Sequence, residues 1–153
     1  MSEALITWQD AEDAMIAAVE YLGALPDRER AFLAAGKRSA WPQVIRDRQA
    51  DYADTDAVPS PQLSRRMMAH LQTMLLDDRA AAMAVPEGHR SLVGRVLVAK
   101  RWPGPDGFRW ERVWVAEGGK ACGVTSDALR RRYERAIGKV AVRMEAMGLG
   151  LAA

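Results

Sequence analysis

Arginines dominate one short stretch near the C-terminus, and their type and spacing suit the recognition of a polyanion. Arg130, Arg131 and Arg132 are consecutive, Arg135 follows Arg131 by four residues, and Lys139 follows after four more. A guanidinium group can bind the edge of a guanine through two hydrogen bonds, and neighbouring basic groups can bind phosphates. These residues therefore favour binding to nucleic acid.

A tight turn and a helix start precede the arginines. Gly123 can take a positive φ, and the apolar Val124 can fill the angle between two helices. Thr125 or Ser126 can cap the helix that follows. A helix-turn-helix has this order of residue types, and its second helix enters the major groove. Gly119, four residues before Gly123, is expected where the two helices approach most closely.

Apolar residues after the turn recur at three- and four-residue steps and predict one buried stripe on the last helix. They are Leu129, Tyr133, Ala136, Ile137, Val140, Met144 and Met147. At about 100° per residue, Asp127, Arg131 and Arg135 lie nearly opposite that stripe, with Arg130 and Arg132 on its flanks. The residues predicted to bind DNA are Thr125, Ser126, Asp127, Arg130, Arg131, Arg132, Arg135 and Lys139. The alternative is a surface helix whose arginines are only solvated.

Helical periodicity organises the rest of the chain, so the predicted fold class is all-α. Thr7 and Asp10 resemble a capping box ahead of an apolar series, which predicts an N-terminal helical arm that stops at Gly23. Trp41-Pro42 begins another short element. The stretch between them reads as a polar connection, with a short helix around Asp27–Ala35 as an open alternative.

A long helix is predicted to start at Ser60-Pro61 and to run to about Asp78, or through the alanines to Met83. Three more helices follow, at about His89–Arg101, Arg109–Ala121 and Ser126–Met147. An acidic linker at residues 51–60 divides the chain into an acidic N-terminal helical region, 1–58, and a helical domain, 59–153. The predicted helix-turn-helix occupies about residues 109–147 of the second part.

Charge is distributed unevenly along the chain. Residues 1–60 hold 6 Lys and Arg against 11 Asp and Glu, a net charge of −5, whereas residues 61–153 hold 16 against 9, a net charge of +7. The basic half is where a polyanion would bind. Cys122 is the single cysteine, which fits a reducing compartment, and no signal peptide or membrane-spanning run is visible. The expected location is cytoplasmic.

Residue patterns for catalysis or for cofactor binding do not emerge from the sequence. His70 and His89 are separated by a predicted helix end, and no Cys or carboxylate cluster repeats at metal-ligand spacing. The glycines compose no phosphate-binding loop, because no Gly-Lys-Ser or Gly-Lys-Thr sequence follows a strand. We therefore expect no enzymatic activity, no metal and no cofactor.

Several separated blocks resemble a family of small uncharacterised proteins of alphaproteobacteria and their phages. The blocks are Trp41–Asp47, Pro59–Pro61 with Met67 following, His89–Arg101, Trp110 and Arg130–Tyr133. The C-terminal part of that family is similar to the helix-turn-helix of sigma factor region 4. The present chain has additional residues between Trp110 and Gly123. The resemblance implies DNA transactions of a phage-like type and assigns no role to any residue.

Three functions are consistent with these patterns. The first is a phage-like transcription regulator that binds double-stranded DNA. The sequence leaves open whether such a regulator contacts RNA polymerase or another protein through its acidic N-terminal half, and whether it forms a homo-oligomer. The second is a small terminase-like DNA-packaging accessory, which would use the same motif in a multimeric ring. The third is a protein-interaction adaptor that does not bind DNA.

Overall fold

The computed structural model describes residues 5–25, 40–50 and 63–149. In these ranges the chain forms six α-helices, so the fold is all-α. They are α1 (Trp8–Ala24), α2 (Trp41–Ala50), α3 (Arg65–Leu71), α4 (Arg90–Arg101), α5 (Trp110–Ala116) and α6 (Ser126–Ala146). Shorter turns complete the described part: a π-helical turn at Gln72–Leu76 and 3₁₀ turns at Ala81–Ala84, Glu87–His89 and Gly119–Cys122.

The capping box predicted at the start of α1 is confirmed. The Thr7 hydroxyl accepts a hydrogen bond from the Asp10 backbone N–H at 3.2 Å, and the Asp10 carboxylate accepts one from the Thr7 backbone N–H at 2.8 Å. These contacts satisfy backbone donors that have no partner inside the helix. The helix continues to Ala24, one residue past the glycine at which its end was predicted.

Thr7→Ala should lower the free energy of unfolding by about 1 kcal/mol, because it removes the oxygen that satisfies the Asp10 N–H. Thr7→Ser keeps a hydroxyl at the same position and is the matched control, with an expected change of a few tenths of a kcal/mol at most. Denaturant unfolding of both variants measures the difference. Equal stabilities of the alanine and serine variants would contradict the contribution of this cap.

The long helix predicted after residue 60 is shorter and interrupted. Its predicted start at Ser60-Pro61 lies outside the described residues; in the described part, Ser64 caps α3, and α3 ends at Leu71. The π-helical turn that follows ends at Leu76, and Asp77 is extended. The predicted end at about Asp78 is thus met to within two residues, although the last turn is π-helical, and the alternative end at Met83 is wrong. Met74, Leu75 and Leu76 are all buried. On an α-helix with one buried stripe, consecutive residues point 100° apart, so three in a row could not all face the core.

The core joins the N-terminal helical arm to the C-terminal helices. Met15 and Val19 of α1 belong to the same buried cluster as Ile137 and Val140 of α6. The two helices run antiparallel, since Ile6 lies against Glu145 of α6 whereas the later residue Glu12 contacts the earlier Tyr133. The predicted domain boundary at 58/59 lies outside the described residues, and residues on both sides of it contribute to this cluster.

α2 packs closely on α4. Gly94 of α4 lies beneath α2, and a Cβ at this position would come within 2.8 Å of Val44 Cγ1. Trp41 is fully buried, and its indole N–H donates to the Ala82 carbonyl at 2.9 Å. The element predicted from Trp41-Pro42 is thus a helix that is fixed at its first residue. None of the helices in the described ranges combines the length and apolar character that crossing a bilayer requires.

Candidate nucleic-acid interface

The local sequence positions the start of α6 as predicted. Gly123 has a φ of 76°, in the left-handed region that glycine adopts at little cost. Thr125 is the cap residue, and its hydroxyl accepts a hydrogen bond from the Ala128 backbone N–H at 3.1 Å. The indole N–H of Trp114 donates to the Val124 carbonyl at 2.8 Å, which ties the turn to α5.

The helix that precedes this turn is shorter than predicted. The prediction Arg109–Ala121 is wrong at its C-terminal end, because α5 ends at Ala116. Gly118 and Gly119 follow with φ values of 113° and 58°, which an α-helix cannot contain. A Cβ at Gly119 would meet no atom within 4 Å, so the expectation that Gly119 marks the closest approach of two helices is also wrong.

The connection between α5 and α6 comprises residues 117–125 and includes the 3₁₀ turn. A helix-turn-helix has a turn of about 3–4 residues. The predicted helix-turn-helix is therefore not confirmed.

The buried side of α6 was predicted almost completely. Six of the predicted residues are buried: Leu129, Tyr133, Ala136, Ile137, Val140 and Met144. Ala141 joins them, whereas Met147 is 36% exposed because it lies beyond the last helical residue. The helix face that remains for solvent is thus fixed by packing.

That solvent face carries basic residues at helical-turn spacing. Arg131, Arg135 and Lys139 are all exposed. None of the three has an ion pair or side-chain hydrogen bond with any residue in the described ranges. Arg130, on the flank, differs from them because it binds Glu134 at 3.0 Å. We call Arg131, Arg135 and Lys139 the basic face.

The other predicted DNA-binding residues have more varied positions. Arg132 is half-buried, as is Ser126, whereas Asp127 and Thr125 are exposed. Thr125 is already engaged as the helix cap, so a contact to phosphate would have to share its hydroxyl. The structure therefore gathers the eight residues at one end and along one side of α6, and the cations among them that are both exposed and unpaired within the described ranges are those of the basic face.

Arg143 anchors the C-terminal half of α6. Its guanidinium donates to the Ala80 carbonyl at 3.2 Å and to the Arg79 carbonyl at 3.0 Å. These two contacts hold α6 against the segment that contains the 3₁₀ turn Ala81–Ala84. Arg143 is thus a packing residue and is separate from the basic face.

A buried polar cluster holds α6 from the opposite side, and sequence reasoning missed it. Glu12 of α1 is 4% exposed, and its carboxylate receives the Lys100 ammonium at 3.0 Å and the Tyr133 hydroxyl at 2.6 Å. The Lys100 nitrogen also lies 5.1 Å from the centre of the Phe108 ring. We call Glu12, Lys100 and Tyr133 the buried cluster.

Burial keeps the Tyr133 hydroxyl protonated. Loss of solvent contact raises the pKa of Tyr133 far above its usual range, and the hydrogen bond to Glu12 and the negative charges of Glu12 and Asp13 act in the same direction. A signal for the cluster was present, because Glu12 shares a helix face with Met15 and Val19, three and seven residues later. A carboxylate at a core position needs a buried partner.

The acidic residues of α1 differ in how far they are available to a partner. The Glu12 carboxylate is already bound by Lys100 and Tyr133 in the buried cluster, and Glu20 pairs with Arg101 at 2.8 Å. Asp10 belongs to the helix cap, whereas Asp13 is exposed. Within residues 5–25, only part of the negative charge counted in the sequence faces solvent.

Clusters of three or more His, Cys, Asp or Glu side chains that could hold a metal ion do not occur among the residues that the structure describes. His70 is half-buried, and its Nε2 lies 2.8 Å from the Ala14 carbonyl.

No family model, no curated protein and no solved structure matches the chain.

Proposed function

We propose that this protein binds double-stranded DNA through the basic face of α6 and acts as a regulator of transcription of a phage-like type. The observation that carries the proposal is that Arg131, Arg135 and Lys139 are exposed together without an acidic partner in the described part of the chain. Arg130 differs from them, because its charge is paired with the Glu134 carboxylate four residues later.

The geometry of α6 suits the major groove. The groove accepts one α-helix, and the basic face extends about 12 Å along α6, so this side of the helix can enter while the opposite side stays packed. Arg131 and Arg135 are suited to contact base edges, since guanidinium groups bind guanine in a bidentate manner. In this proposal, Lys139 and the half-buried Arg132 bind phosphates of the DNA backbone.

Contacts along its length hold this helix in place. Thr125 fixes its start, the buried cluster fixes its middle, and Arg143 fixes its end. A binding helix that is already ordered loses less conformational entropy when it meets DNA. The proposal therefore does not require α6 to fold on binding.

Duplex DNA should bind with an affinity that falls as salt rises, because phosphate neutralisation releases counterions. If the two side chains assigned to phosphate contact it, the slope of log K against log salt is about −1.8, which corresponds to a loss of about 12-fold between 50 and 200 mM salt. Fluorescence anisotropy with a labelled duplex across a salt series measures it. Absence of binding at the lowest salt would contradict the proposal.

A second candidate is the protein-interaction adaptor, and one observation favours it. Val142 lies on the same side of α6 as the basic face and is 68% exposed. An exposed aliphatic residue beside arginines is also found at protein interfaces.

The salt series separates the two candidates, because an adaptor would bind no DNA. A packaging accessory would bind DNA but would sediment as a large ring, whereas a regulator would sediment as a monomer or dimer.

A further inference from the structure

A pocket lies between α1, α3 and the C-terminal end of α6. Its volume is about 360 Å³, within the range of about 300–1,000 Å³ that small-molecule sites occupy. Ile6, Met74, Met144 and Leu149 provide most of its apolar wall. Met74 belongs to the π-helical turn, a feature that is frequent at functional sites.

Two opposite charges line this pocket without pairing. Asp10 uses one carboxylate oxygen, Oδ2, to accept both hydrogen bonds from Thr7, at 2.7 and 2.8 Å. Its other oxygen, Oδ1, has no partner among the described residues. Arg66 is exposed at the pocket and forms no ion pair within the same ranges, with Asp10 or with any other residue.

The two other polar side chains of the wall each have a partner inside the protein. His70 Nε2 lies 2.8 Å from the Ala14 carbonyl, and the Thr73 hydroxyl donates to the Ala69 carbonyl at 2.9 Å. The hydrogen bonds from Thr7 lower the pKa of the Asp10 carboxyl below its usual value, so Asp10 is ionised at neutral pH. The pocket therefore presents one anion, one cation and an apolar wall to a ligand.

We propose that this pocket binds a free α-amino acid with an apolar side chain. The ligand carboxylate meets Arg66, the ligand ammonium meets Asp10 Oδ1, and the side chain packs against Met74 and Met144. A zwitterion is complementary to both charges at once, whereas a simple amine or acid leaves one of them unmatched. The site is about 20 Å along α6 from Arg131, and the proposal does not depend on DNA binding.

Calorimetry with the full-length protein tests the charge requirement. Leucine and phenylalanine are each titrated beside their decarboxylated and deaminated analogues: 3-methylbutylamine and 4-methylpentanoate, phenethylamine and 3-phenylpropionate. We expect at least one amino acid to bind saturably and at least about 10-fold more tightly than its own two analogues, since each analogue loses one charge-assisted contact. If neither amino acid binds saturably, or if an analogue binds as tightly as its parent, the proposal is overturned.

Two variants assign the charges, and the chain offers a matched control. Arg66→Ala should abolish the preference for the amino acid over its amine, whereas Arg65→Ala, an exposed neighbour that does not line the pocket, should preserve it. Asp10→Asn should abolish the preference over the deaminated acid. Thermal unfolding accompanies each variant because Asp10 also caps α1, and the Arg66 comparison decides the outcome if Asp10→Asn does not fold. Equal effects of Arg65→Ala and Arg66→Ala would exclude this site.

Discussion

Glu12→Ala should lower the free energy of unfolding by about 2–4 kcal/mol. The substitution leaves the Lys100 ammonium without its anion and the Tyr133 hydroxyl without its acceptor. Removal of one partner from a buried ion pair costs about 3–5 kcal/mol, but the Lys100 side chain is 22% exposed, so water replaces part of the lost interaction. Urea unfolding with linear extrapolation measures the change.

Asp13→Ala is the matched control for this prediction. Asp13 is the next residue of α1 and carries the same charge, but it is exposed, so its loss should change stability by no more than about 0.5 kcal/mol. Tyr133→Phe should fall between the two, at about 1–2 kcal/mol, because Glu12 keeps Lys100 as a partner. If Glu12→Ala and Asp13→Ala are equally stable, the buried cluster does not hold α1 to α6.

The parts of the fold that the sequence predicted are those that local rules determine. The periodicity of α6 identified six of its buried residues, because an amphipathic helix repeats its apolar positions within one turn. Gly123 and Thr125 were recognised for the same reason: a positive φ and an N-cap each depend on a few adjacent atoms. The position of the basic face follows from the buried stripe and needs no long-range information.

The buried cluster could not be predicted in full, because its members are distant in the chain. Glu12 and Tyr133 are 121 residues apart, and nothing near either residue indicates the other. Glu12 was counted only as part of the negative charge of the N-terminal region, although its helical position is a core position. The unpaired charges of the pocket could not be predicted from the sequence for the same reason, since Asp10 and Arg66 come from different helices.

The helix ends that were predicted wrongly lie where apolar spacing continues beyond the helix. Leu71 and Leu75 are four residues apart, as in one continuous helix, but the chain passes through a π-helical turn between them. After Ala116, Gly118 and Gly119 are compatible with two outcomes: the helix can continue with lower stability, or it can end. A glycine in a helix interior costs only about 1 kcal/mol, so the sequence does not decide between them. Tertiary packing decides such cases, and periodicity alone does not.

Arg131→Ala and Arg135→Ala should each weaken binding to a selected DNA site by about 1–3 kcal/mol, roughly 5- to 150-fold, and should relax base preference. Both side chains are exposed and have no partner in the described ranges, so the melting temperature should stay close to that of the parent. Affinity is measured for the selected duplex and for a scrambled one. A base contact affects mainly the selected site, whereas a phosphate contact affects both.

The matched control for these two variants is Arg46→Ala, and Arg143 is unsuitable for this purpose. Arg143 holds the carbonyls of Arg79 and Ala80, so its loss would destabilise the packing of α6 and confound any change in binding. Arg46 is an exposed arginine on α2, so its replacement removes the same charge from a different helix. We expect Arg46→Ala to bind both duplexes nearly as the parent does. If Arg131→Ala and Arg135→Ala behave like Arg46→Ala, α6 does not read DNA, and the exposed side of this helix is better assigned to a protein partner.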